Sequence, residues 1–315
     1  MRYLFLLLSL FAIRPHAAEG SLPAIPSGKF IVQREPGAVV VTTLNKKVVL
    51  RYQLDRLADS NLSVESGCYF HPIATPGGTV MTEVGPPDHP HHRGAFLAWV
   101  EMHGKKDADF WGWGEHAPKK DRKIVNREVT GLVSDGVAAR FRARNEWLAE
   151  GEPMMKEDLH VSVRSTSSAN VIDLTYTLAA DADVTLSRWA FSGFCLCTRK
   201  DGKLETEGPE GAVALPNPSH LEPETDWPAA RWYDYTLRLG GDTVAGVAVI
   251  DHSKNPASLW HNHRDVRVLN PCIVAPAAVV VKANQPLVLR YRIVAHDGPV
   301  PREFLNRLAT DWAGE

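Results

Sequence analysis

The chain has 315 residues, with 35 Lys and Arg against 37 Asp and Glu and a net charge of −2. Basic residues form no block, which argues against a nucleic-acid partner, since non-specific binding needs a positive face. No run reaches the roughly 20 apolar residues of a spanning helix, so no membrane span is expected.

The first 18 residues read as a secretory signal peptide. Arg2 supplies the positive start, Tyr3 to Ile13 the apolar stretch, and Ala17 and Ala18 the small residues at the cleavage position. An uncleaved anchor is the alternative. Residues 19–315 are then expected outside the cytoplasm, secreted or periplasmic, as a single β-sandwich domain. That length can bury a core without staples.

Strand signals dominate from there. Lys29–Gln33, Ala38–Thr43 and Lys47–Tyr52 are short β-rich runs separated by Gly, Pro or Asn, as in a meander. Ala95–Val100, Ile124–Val133, Val137–Trp147, Glu157–Arg164, Val171–Ala179 and Val184–Phe191 continue the series. Tyr233–Leu239, Val244–Asp251, Ala277–Lys282 and Leu287–Ala295 complete it. Within Asp158–Arg164 apolar and polar residues alternate, the mark of a half-buried strand. Arg199–Arg231 is rich in Pro, Gly and acids and reads as a long loop, a feature that is usually functional or mobile. One helix is predicted after Pro301, with Phe304, Leu308 and Trp312 four apart and Leu305 beside them. The fold class is therefore all-β: a large two-sheet antiparallel sandwich with a C-terminal helix.

Four cysteines, at 68, 195, 197 and 272, permit disulfides in an oxidising compartment or serve as buried free thiols. Cys195 and Cys197 would share one strand face, poorly placed to bond each other.

The densest chemistry is Asp88-His89-Pro90-His91-His92-Arg93-Gly94. Histidine titrates nearest neutral pH and is the commonest metal ligand. If this segment is extended, His89 and His91 point one way and His92 the other. Three further groups are rich in His, Arg and Trp. Asp109-Phe110-Trp111-Gly112-Trp113 spaces its rings by glycine, fit either for a flat ligand or for a tight core. Arg231-Trp232-Tyr233-Asp234-Tyr235 puts Trp232 and Asp234 on one strand face. Asp251-His252 leads on to Trp260-His261-Asn262-His263, with Asn270-Pro271 beyond. Four such segments in one β domain are the composition of loops converging on a polar concave site. Phosphate loops, a G-x-S-x-G elbow, H-E-x-x-H and CxxC pairs are all missing from the sequence.

Tyr69–Ile73, Asp88–Gly94, Asp109–Gly112, Arg231–Tyr235, Asp251–Pro256, Trp260-His261 and Asn270-Pro271 together resemble a family of exported bacterial proteins labelled methane oxygenase PmoA. The resemblance runs through most of the chain after the signal segment. It implies a large β-sandwich similar to the supersandwich of galactose mutarotases and several carbohydrate-active enzymes. In mutarotases, histidines and a glutamate on a concave sheet face exchange protons with a sugar.

The leading expectation is an exported carbohydrate-active protein performing histidine acid/base chemistry on a sugar or glycoside: hydrolysis, elimination or epimerisation. His91 or His92 would transfer the proton. Asp234 or Asp109 would orient a histidine or act as the second acid/base. Arg93 and Arg231 would bind substrate, Trp111 would stack on the ring, and His252, His261 and Asn270 would complete the site. The partner would be a small-molecule or oligosaccharide substrate. A second expectation is a metal-dependent, oxygenase-like enzyme with His89, His91 and His261 or His263 on copper or iron. A third is a non-catalytic carbohydrate-binding module.

Overall fold

The computed structural model describes residues 25–27 and 30–314. The predicted signal segment lies outside the described residues. Two antiparallel sheets dominate. The eight-stranded sheet runs in the order Ile25–Ser27, Phe30–Glu35, Ala38–Thr43, Val48–Gln53, Tyr69–Ile73, Ala95–Ala98, Gly193–Cys197 and Val268–Leu269. The nine-stranded sheet runs Gly211–Ala212, Lys203–Gly208, Trp232–Gly240, Thr243–Asp251, Leu287–Asp297, Ala169–Ala179, Glu152–Ser165, Ala139–Ala149 and Arg122–Ser134. The expected all-β sandwich with one C-terminal helix is therefore the fold.

Alternation places the core. In Ala139–Ala149, Phe141, Ala143 and Asn145 are buried while Arg140, Arg142 and Arg144 are exposed. The inner faces meet in one apolar cluster drawn from both sheets. Tyr52 lies against Phe141 with ring centroids 5.8 Å apart, and Phe194 stacks on Tyr291 at 4.4 Å. Large side chains such as these contribute roughly 1.5–3 kcal/mol each on burial.

The helix Arg302–Ala313 covers the outer face of the nine-stranded sheet. Leu305, Ala309 and Trp312 are buried against Trp232, Ala248, Ile250 and Val294. Phe304 and Leu308, expected at the centre of the buried stripe, flank it instead. The buried stripe therefore runs through Leu305, Ala309 and Trp312.

Two segments depart from the sequence reading. The run predicted as strand Val184–Phe191 leaves its ladder after Leu186. Arg199–Arg231 is not one loop: Lys203–Gly208 pairs with Trp232–Gly240, Gly211–Ala212 adds an edge strand, and Pro223–Thr225 forms a helical turn. All four cysteines are buried free thiols. Cys195 and Cys197 do share a strand face, their sulfurs 3.8 Å apart. No described helix is long and apolar enough to cross a membrane.

Candidate functional site

The site sits on the eight-stranded sheet, on the face turned away from the other sheet. Phe194 points inward onto Tyr291, so its neighbour Cys195 points outward. Phe96 is Cys195's register partner on the adjacent strand and shares that outer face. Loops pile a second layer of side chains on this face and leave a cavity between them. Six histidines line it: His89, His91, His92, His220, His261 and His263.

The segment holding the first three is not extended. The His89 N–H donates to the Pro86 carbonyl and the His92 N–H to the His89 carbonyl, both at 3.0 Å. These are successive tight turns around Pro90, whose fixed φ suits a turn. The expected split of the three rings over two faces therefore does not occur. His89 stacks on His92 at 4.8 Å, and His91 meets His92 edge-on at 4.6 Å. Gly94 ends the turn at φ 63°, where a Cβ would lie 2.1 Å from the Phe70 carbonyl oxygen.

The tryptophan loop is fixed from behind. Asp109 is buried and accepts the Gly112 and Gly114 N–H groups at 2.7 and 2.5 Å. Burial pushes its carboxyl up to about 6. Gly112 has φ 108°, and a Cβ there would meet Val64 at 2.4 Å and His91 at 2.8 Å. Glycine thus lets the loop press on the histidine turn, bringing Trp111 and Trp113 to the cavity wall with Phe191.

The opposite wall comes from 260–270. The His261 N–H donates to the Asn270 carbonyl at 2.9 Å, and Asn270 N–H donates to Asn262 Oδ1 at 3.1 Å. Asn270 Nδ2 donates to the Ser192 and Phe194 carbonyls, while its Oδ1 is buried with no protein partner. Trp111 Nε1 and His92 Nδ1 are likewise buried and unpartnered. His261 Nδ1 lies 2.7 Å from Asp226 Oδ1. Asp226 follows the helical turn Pro223–Thr225 and is held by the Trp227–Trp260 bridge.

Burial rules the electrostatics. It pulls His91 down to about 3, helped by His89 and Arg93. His92 and His263 are lowered by burial and by neighbouring imidazoles. Burial lowers His261 and raises Asp226, so both partners favour their uncharged forms. His91, His92, His261 and His263 thus favour the neutral imidazole.

The sequence candidates divide cleanly. His89, His91, His92, Trp111, His261 and Asn270 meet at the cavity. Asp109 stands behind the loop it folds. Arg93 is fully buried, donating to the carbonyls of His91, Trp111 and Phe110 and lying 4.1 Å over Phe96. It is a strut and not a substrate clamp. Arg231 is exposed and reaches Thr310 on the helix. His252 bonds the Trp312 carbonyl on the same side. Asp234 does hold a histidine, but it is His296, 2.9 Å away on the nine-stranded sheet. Among the described residues, no group of three or more His, Cys, Asp or Glu is gathered to hold a metal ion, so His89, His91 and His261 share a cavity without forming a ligand set. Asp226 and His220 were not singled out from sequence, and Cys195 was read there only as a thiol or disulfide candidate. Asp226 lies in the Pro-rich stretch between Arg199 and Arg231, where no periodicity ties a carboxylate to a histidine 35 residues on.

Residues 39–310 match a family described as a family of unknown function, DUF6807. The chain belongs to that family. This corrects the methane-oxygenase resemblance: the segments that carried it lie within the span matched by this family, whose description names no methane oxygenase. No curated protein matches the DUF6807 chain. Among solved structures, it is similar to an alpha-galactosidase from Lactobacillus brevis at 11% identity and TM-score 0.39, over 89% of this chain and 40% of that one. A galactose mutarotase related enzyme from Lactobacillus acidophilus matches at 10% identity and TM-score 0.36, over 85% and 97%. A heparan sulfate lyase from Pedobacter heparinus matches at 9% and 0.37, over 91% and 38%. The DUF6807 chain therefore spans well under half of the galactosidase and the lyase. Its chemistry is argued from its own residues.

Proposed function

We propose that this DUF6807 protein is an exported, secreted or periplasmic, carbohydrate-active enzyme that moves a proton to or from a hydroxylated ring held in the histidine cavity. The observation that carries this is the buried Asp226–His261 pair, 2.7 Å apart, with its imidazole on the cavity wall. A carboxyl at Nδ1 fixes the ring's orientation and leaves Nε2 for substrate, the arrangement general acid/base catalysis uses. His91 and His92 are the second proton-transfer candidates, on the facing wall. Trp113 and Phe191 supply flat apolar surface for a ring's C–H face.

Two-carboxylate hydrolysis is disfavoured within this reading. Retaining and inverting glycosidases place two carboxyl groups across the scissile bond, and no Asp or Glu lines the cavity. Elimination or epimerisation by imidazoles fits the lining better. The test is turnover of a panel of sugars and glycosides by wild type, His261→Ala and Asp226→Asn. The reading expects one substrate whose turnover falls roughly 10²–10⁴-fold in His261→Ala. Equal turnover in all three proteins would sink it.

A further inference from the structure

We propose that the cavity is built for an electrically neutral, polyhydroxylated ring, one neutral sugar unit, and selects against uronic acids, sulfated sugars and amino sugars. This rests on the carbohydrate reading above and adds the charge class of the ligand.

The lining decides it. None of its thirteen residues is Lys, Arg, Asp or Glu. The fixed charges around it have partners outside it: Asp265, which acts on His263, accepts from Asn217, and Arg267 donates to the Lys200 and Gly202 carbonyls. The Arg93 guanidinium faces three backbone carbonyls and the Phe96 ring, behind the wall. Lys119 lies over the Gly112 and Trp113 carbonyls, and Lys200 is tied to Asp88. Asp226 lies behind His261. An anion taken from water into this space would lose hydration and meet no countercharge, and a buried charge without a partner is costly. Burial and mutual repulsion keep His91, His92, His261 and His263 uncharged, so they do not replace the missing cation.

The hydrogen-bond inventory agrees. A neutral imidazole offers one donor and one acceptor. Asn270 Oδ1 is an unpartnered acceptor and Trp111 Nε1 an unpartnered donor, both buried. A hydroxyl donates and accepts, so an array of hydroxyls can match this mixed set. A carboxylate or sulfate only accepts, and an ammonium only donates.

The experiment is titration calorimetry at neutral pH with matched sets of methyl glycosides: each neutral sugar, its uronate and its 2-amino counterpart. Wild type is compared with Val266→Lys, which puts a cation at a half-buried position on the cavity wall. The expected result is a neutral glycoside that binds at least tenfold more tightly than its uronate and amino partners. Val266→Lys should close most of the gap for the uronate alone. Uronate binding as tight as neutral binding in wild type would overturn the charge inference while leaving the acid/base reading intact. A Val266→Lys protein with an unchanged gap would also overturn it. Binding of no sugar in the panel would overturn both.

Discussion

Among the described residues two Asp–His pairs are buried, and they are opposites. Asp226–His261 lies over the eight-stranded sheet and Asp234–His296 on the nine-stranded sheet, with N···O distances of 2.7 and 2.9 Å. His296 is enclosed: Nε2 faces Asp234 Oδ1 and Nδ1 faces the Gly298 carbonyl at 2.7 Å. A carboxylate and a carbonyl both accept, so the two contacts favour a ring that donates from both nitrogens. Burial would lower His296, but Asp234 and the Gly298 carbonyl outweigh it and raise it. His261 is lowered instead, and its ring borders a cavity. The same two side chains make a staple in one place and, in the proposed function, a proton-transfer pair in the other. What differs is whether the second nitrogen already has a partner.

The largest expected effect separates the pairs by what each variant loses. His261→Ala should lose roughly 10²–10⁴-fold in turnover at a smaller cost in stability, about 1–3 kcal/mol, because the Asp226 it leaves behind favours its uncharged form. His296→Ala should do the reverse, losing about 3–5 kcal/mol of stability because Asp234 is left buried without its counter-ion. Denaturant unfolding alongside the sugar assay checks both, and a large activity loss in folded His296→Ala would erase the distinction. Next in size is Glu157, fully buried between the sheets, where Trp147 Nε1 donates at 2.9 Å and Asn145 Nδ2 at 2.7 Å. Burial raises its carboxyl to about 7 from 4.5. A raised carboxyl favours the folded state while protonated, so that contribution is complete below pH 4.5 and is lost as pH rises through about 7. Melting midpoints across this range should fall for wild type and flatten in Glu157→Gln. The smallest effect belongs to Arg231→Ala. This exposed residue touches only the helix surface, so stability should change by less than about 0.5 kcal/mol and turnover not at all. A tenfold activity loss there would mean the site extends across the molecule.

The sheets were readable because alternation is a local signal. Asp158–Arg164 shows it, and the structure places that run inside the strand Glu152–Ser165. The histidine cluster was readable because its composition is improbable for a core or a plain surface. Its geometry was not, since assuming an extended backbone ignored the turn that Pro90 and two backbone hydrogen bonds create. The arginines misled for a related reason. Arg93 looks like a ligand clamp in sequence, yet three carbonyls of adjacent turns claim its guanidinium. Which carboxylate serves which histidine is a long-range matter. Asp234 with His296 and Asp226 with His261 are joined only by the strand order and a single bridge at Trp227 and Trp260.

The central claim is that the two pairs stand in different protonation states and that only one meets a ligand. The most direct measurement is a long-range proton–nitrogen NMR spectrum of histidine-labelled protein at neutral pH, with and without neutral sugars. His261 should be a neutral imidazole whose nitrogens shift on sugar addition, and His296 a doubly protonated ring that does not respond. A charged His261, or sugar shifts at His296 and none at His261, would contradict it.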